Sequence, residues 1–183
     1  MTSTRLLVTA LATLVLSMGM TRAQEPPKPG PEHALLARME GVWEAKIKIH
    51  VRPNQPPVES EGLYTLKMEV GGLFLVGDIR SKLLDADFQA HTITGYDTFK
   101  KKYSGTWVDS MSTAVYTLEG SFDKSGMVYT EIMRGPDPGT GKPMRVRTVT
   151  EIGDKGTMLA KMYGSRTDGK EGLMMEISYT RKK

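Results

Sequence analysis

Cysteine is absent from the 183-residue chain. That absence excludes disulfide scaffolds, cysteine-ligated zinc, iron–sulfur clusters and a thiol nucleophile. Histidine is nearly as scarce: only His33, His50 and His91 are available as soft ligands, so no metal site and no cofactor are expected. No apolar run reaches the roughly 20 residues that cross a bilayer as a helix, so no retained membrane span is expected either. What remains, 39% hydrophobic and 25% charged, is the composition of one soluble domain with a core large enough to fold without staples.

The first 23 residues read as a secretory signal. Arg5 precedes an apolar run from Leu6 to Met20, and Thr21-Arg22-Ala23 supplies small residues at cleavage spacing before Gln24. No cysteine follows for lipid attachment, so the expected address is periplasmic or secreted. Removing the signal takes away Arg5 and Arg22, leaving 23 basic and 21 acidic residues. Positive charge then concentrates only at Lys100-Lys101-Lys102 and Arg181-Lys182-Lys183, two short clusters rather than the continuous stripe a nucleic-acid groove needs.

Residues 24–30 hold Pro26, Pro27 and Pro29 and read as a stiff spacer; residues 31–183 read as a single domain. Pro31 suits a first helical position, Leu35, Leu36 and Met39 share one face, and Gly41 is placed to end a helix of about ten residues. So short a helix must lean on something larger. From Val42 the hydrophobic period becomes two: Trp43, Ala45, Ile47, Ile49 and Val51 alternate with Glu44, Lys46, Lys48 and His50. The pattern recurs to give ten strands, separated by turn chemistry such as Gly71-Gly72, Lys124-Ser125-Gly126 and Asp168-Gly169. Short links force antiparallel neighbours. The expected fold is therefore all-β, an antiparallel meander closed into a roughly ten-stranded barrel with a short N-terminal capping helix, an open sandwich being the alternative.

Gly41-Val42-Trp43 opens the first strand and Tyr179-Thr180-Arg181 ends the last, and in a closed barrel these strands are neighbours. A guanidinium laid over the indole would lock the seam. The triplet and the strand-end arginine resemble the signature of the calycin superfamily, the lipocalins and fatty-acid-binding proteins. A wider resemblance runs from Gly30-Pro31-Glu32-His33 through Glu40-Gly41-Val42-Trp43, Gly71-Gly72-Leu73-Phe74-Leu75, Thr94-Gly95-Tyr96-Asp97, Lys101-Lys102-Tyr103, Gly105-Thr106-Trp107-Val108-Asp109-Ser110-Met111 and Gly120-Ser121-Phe122-Asp123 to Tyr179-Thr180-Arg181-Lys182. Together these blocks resemble the domain-of-unknown-function 1579 family, small exported bacterial proteins grouped with calycin-like barrels. The resemblance implies the fold and carries no activity. The chain departs from the family pattern at Phe88 to Thr92, where His91 replaces an expected glycine-rich stretch, and at Ser110, where asparagine is usual.

A barrel of this strand number encloses more space than its own side chains readily fill, so a small apolar ligand is the leading expectation. Pocket candidates are Tyr96, Tyr103, Trp107, Asp109, Tyr129, Met133 and Met162, with Trp43 and Arg181 as structural lock. Methionine-bearing faces, Met127-Tyr129-Met133, Met158-Ala160-Met162 and Leu173-Met175-Ile177-Tyr179, suit an adaptable cavity or an irregular filled core equally. Asp97 and Asp109 could instead bond turn amides while Trp107 packs the core, or act as an acid–base pair; no nucleophile accompanies them and no catalytic residue is assigned. His33 is expected to bond helix to barrel, and no histidine is placed as a haem ligand. Gly139-Thr140-Gly141-Lys142 fails as a phosphate loop, because Pro136 and Pro143 stand where glycine and a hydroxyl are needed; it reads as a hairpin loop at a barrel mouth. A filled barrel serving as a protein-interaction or envelope module is the alternative, and a barrel enzyme using Asp109 and Asp97 a further one.

Overall fold

The computed structural model describes residues 25–52, 55–154, 156–165 and 171–183. The expected signal, residues 1–23, lies outside the described residues. Residues 25–29 are exposed and carry no regular secondary structure. A helix α1 (Pro31–Ala37) follows, then strands β1 (Gly41–Ile49), β2 (Val58–Glu69), β3 (Phe74–Leu83), β4 (Ala86–Asp97), β5 (Lys102–Asp109), β6 (Tyr116–Phe122), β7 (Val128–Pro136), β8 (Pro143–Ile152), β9 (Thr157–Ser165) and β10 (Glu171–Arg181). Each strand pairs antiparallel with its chain neighbour and β1 also pairs with β10, so the meander closes into a ten-stranded barrel. All ten expected strands are present, and closure removes the free edges an open sandwich would leave.

The seam is built as the sequence predicts. Trp43 stands opposite Arg181 in the β1–β10 register, with the guanidinium 4.2 Å above the indole. Arg181 also donates to the carbonyls of Glu40 and Arg38, just past the end of α1, while the Trp43 indole donates to the Met39 carbonyl at 2.9 Å. Gly41 explains the rest of the triplet. It adopts φ +145°, and a methyl group there would overlap the Arg181 guanidinium. The motif thus clears a path for the cation to reach both ring and helix end.

The helix closes one end of the barrel. Leu36 and Met39 are buried against Trp43 and the first core layer, and long-range hydrogen bonds tie the helix down. The Tyr103 hydroxyl donates to the Glu32 carbonyl at 3.0 Å, Arg38 donates to the Gly126 carbonyl at 2.7 Å, and Arg181 adds the bonds just described. Two expectations need correction here. The helix runs seven residues rather than about ten, because Met39 and Glu40 already turn toward β1. His33 does not bond to the barrel: its Nδ1 accepts the Gly30 amide at 3.0 Å, and its ring packs edge-on against Tyr96.

Two further departures concern phase. The β1 alternation ends at Ile49, and Val51 is exposed. In β10 a bulge between Leu173 and Met175 shifts the register, so Leu173 sits opposite the outward Tyr163 while Met175 keeps the inward phase of Ile177 and Tyr179.

The seam gives a direct prediction. Arg181→Ala should lower unfolding free energy by about 1–2 kcal/mol and Trp43→Leu by about 3 kcal/mol. In urea titrations the double variant should fall short of the sum by about 1 kcal/mol. Strict additivity would mean that the stack contributes nothing.

Candidate functional site

Strand register divides the interior into two halves. The half under α1 is a packed floor of aromatic rings. Tyr103 lies at its centre, edge-on to Tyr96, Phe122 and Tyr129 with centroids 5.1, 5.2 and 5.7 Å away. Tyr64 and Tyr179 meet similarly at 5.0 Å on the opposite wall. Of the expected pocket residues, Tyr96, Tyr103 and Tyr129 belong to this floor. Burial pushes the Tyr103 phenol up to about 12, so it serves as a neutral donor to the helix.

The half toward the other end is different. Trp107, Met133, Met162 and Met175 occupy inward positions yet keep accessible surface, unlike Trp43, Tyr103 and Met158 below them. These four border space that their neighbours do not fill, although Tyr116, Leu118 and Val146 of the same half are buried and Tyr64, Tyr96 and Phe122 of the floor keep some accessible surface too. Met162 stands opposite Met175 and Thr148, and Met133 opposite Leu118 and Val146, so the expected methionines do converge on one wall. Met174, the bulged residue, brings its sulfur over Gly164 at the same end. The Asp137–Lys142 hairpin borders this mouth, as its sequence predicts, tightened by the Asp137 carboxylate accepting the Gly139 and Thr140 amides at 3.1 and 2.8 Å.

Trp107 and Asp109 form one unit on β5. The indole donates to the Asp109 carboxylate at 2.7 Å, whose other oxygen accepts the Met111 amide at 2.9 Å, and Phe88 stacks near-parallel on the ring at 6.4 Å. Asp109 thus holds the indole at the mouth. Asp97 is far away: β5 pairs Lys102 with Asp97 and Asp109 with Ala90, seven residues further, which is about 23 Å of strand. There it accepts the Lys100 and Phe99 amides, which hold its carboxyl below the usual range. The two aspartates lie at opposite ends of the barrel, so the acid–base pairing is not supported by their placement. His91 faces outward and meets Asp78 at 2.8 Å.

Between floor and open half sits a residue that the candidate list lacks. Glu131 points inward between Tyr129 and Met133, opposite Gly120 on β6 and Thr148 on β8. The Tyr129 hydroxyl donates to its carboxylate at 3.1 Å, and Gly120 makes this possible, because a methyl there would fill the place of the phenol oxygen. Glu131 lies at mid-strand depth yet retains accessible surface, the mark of a group lining an internal space. Burial raises its pKa to about 7 against the opposing effect of the tyrosine hydrogen bond. Burial and the neighbouring carboxylate push the Tyr129 phenol far up. Thr148, Thr150, Thr92 and Thr94 add hydroxyls to the wall. Above the lid, no inward position of the described strands carries lysine, arginine or histidine. The signal for Glu131 was in the alternation itself: it shares the phase of Tyr129 and Met133.

Two shallow surface depressions lie outside this interior, one over Lys46–Lys48 and Glu59–Glu61, one beside Arg38, Asp154 and Arg181. The arginines of the second are already committed to backbone carbonyls.

Fold and interior together define a capped, closed ten-stranded antiparallel barrel with a polar point set in an apolar lining. The chain belongs to the family described as protein of unknown function (DUF1579), whose model matches residues 28–181. Among solved structures it is similar to the crystal structure of Rv2717c from M. tuberculosis, with a TM-score of 0.65 and 12% identity over 84% of this chain and 99% of that one. At that identity the likeness shows the fold alone. No curated protein matches the sequence.

The buried carboxyl predicts a pH slope. Its ordinary value is 4.5 and its folded value about 7, so between these the folded state holds more protons and stability falls as pH rises. The loss begins near the lower value, is complete above the upper one, and is on the order of 3 kcal/mol. Glu131→Gln should therefore gain on the wild type by up to that amount between about pH 5 and pH 8 in urea titrations. An unchanged difference would mean that the carboxyl is well solvated.

Proposed function

We propose that the protein is an exported barrel that holds a small, largely apolar molecule in the open half of its interior. The observation that supports this is the accessible surface kept by the inward Trp107, Met133, Met162 and Met175, none of which is fully buried. Unbranched, polarisable methionines adapt to a guest without demanding one shape, and Trp107, fixed by Asp109 and Phe88, supplies a rigid apolar wall. Export is supported by the N-terminal segment and by the lack of cysteine, which suits an oxidising compartment.

A second reading, an interaction module, is favoured by one surface feature. Phe99 is 96% exposed at the β4–β5 turn, next to Lys100 and Lys101. A protein partner could cover it.

Mass spectrometry of the protein recovered from the producing cells separates these readings. The denatured mass should correspond to a chain beginning at Gln24, and the native mass should exceed it reproducibly by one small molecule. N-phenyl-1-naphthylamine, a neutral apolar probe, should bind saturably with one site and perturb tryptophan emission. A native mass equal to the denatured one, with no saturable probe signal, would transfer the assignment to the interaction module.

A further inference from the structure

We propose that Glu131 is a head-group site and that the molecule held is an amphiphile with an amine head and an apolar tail. The inference rests on the ligand-holding reading and adds the chemistry of the ligand.

Three observations meet at this residue. First, its position: Glu131 stands directly above the aromatic floor, at the bottom of the open half, with Tyr129 fixing one carboxylate oxygen. No other described residue donates to that carboxylate, so its remaining acceptor capacity faces the interior space. Secondly, the sign of the interior: among the described residues above the lid, Glu131 and Asp109 are the only inward carboxylates, and no inward position there carries a cation. Asp109 has both oxygens occupied by Trp107 and Met111, which leaves Glu131 as the acceptor available to a ligand. Thirdly, the lining above it: Met133, Met162 and Met175 rise from Glu131 toward the mouth, along about 17 Å of strand from residue 131 to Pro136. That wall is as long as a medium alkyl tail.

The physical consequence is selectivity by charge. A carboxylate enclosed in a low-dielectric space without a counter-ion is destabilised as an ion, and an ammonium head brings that counter-ion together with hydrogen-bond donors. A carboxylate head would bring a second negative charge into the same space. A neutral hydroxyl head falls between them, since it donates one hydrogen bond and carries no charge. The thiol-free, methionine-rich wall accepts the tail in all three cases, so the head alone decides the order.

Displacement of N-phenyl-1-naphthylamine by decylamine, decanol and decanoate tests this at about pH 8, where the amine and both acids are charged. Decylamine should displace the probe at about one tenth the concentration needed for decanoate or less, with decanol between. Glu131→Gln should bring amine and acid to within about threefold of each other while leaving decanol in place. Equal binding of decanoate and decylamine would overturn the proposal, as would an amine preference that survives in Glu131→Gln. Should that variant fail to fold, the wild-type order of the three heads decides by itself. Probe binding that none of the three competes with overturns the head-group assignment and leaves the cavity standing. Absence of probe binding removes the cavity reading and the inference with it.

Discussion

The Arg181 guanidinium over the Trp43 indole is the contact on which the molecule depends. It stands at the end of the seven-pair ladder, Trp43–Arg181 to Ile49–Met175, that joins the first strand to the last, and without that ladder the ten strands would be an open curled sheet with two unsatisfied edges. The same cation reaches the carbonyls past α1, so one side chain closes the seam and seats the lid. Its position near the helix C-terminal carbonyls is electrostatically favourable in its own right. The need for a glycine at position 41 follows from this crowding.

Closure fixes strand number, and strand number fixes how much interior there is to fill. The two ends of this interior are lined differently. Below Glu131, rings pack edge to edge and the Tyr103 hydroxyl finds its partner on the helix; above it, flexible methionines and one clamped indole leave surface accessible. The boundary is a single hydrogen-bonded pair, Tyr129 and Glu131. An apolar side chain at position 131 would continue the floor upward and would avoid desolvating a carboxyl. The sequence instead keeps a charge-capable group at the one level where floor gives way to space.

Most of the barrel was legible because alternation is a direct consequence of strand geometry, and each of the ten segments shows it. The seam was legible for a different reason: tryptophan and arginine at the two chain ends become neighbours only if the sheet closes. What failed were features that alternation cannot encode. Leu173 is apolar on either face, so nothing in composition reveals the bulge that turns it outward. His33 was expected to reach the barrel, but an N3 histidine can satisfy the helix's own first amide, and the shorter bond won. Asp97 and Asp109 both stand at strand ends and so read as a pair; a hairpin joined at the Asp97 end necessarily carries Asp109 to the other end. Glu131 was overlooked because a charged residue within a strand is normally outward, and only its phase relative to Tyr129 and Met133 gave it away.

That phase also carries the energetic meaning of the site. Each residue of the closed half contributes to stability through burial, whereas Glu131 opposes it as pH rises, because its ionised form loses more by leaving water than it regains from one tyrosine. Selection for stability alone removes such a group, since glutamine of the same shape would keep the hydrogen bond without the charge. Under the proposed function, a buried ionisable group with no counter-ion among the described residues is one half of an interaction whose other half arrives with a ligand. In that proposal the energy withheld from folding would reappear as differential affinity, and binding the right head would stabilise the fold by the same linkage that makes the unliganded barrel weaker. In the same proposal the methionines set what size and shape of tail the barrel tolerates, and Glu131, the carboxyl with free acceptor capacity, sets which head it prefers.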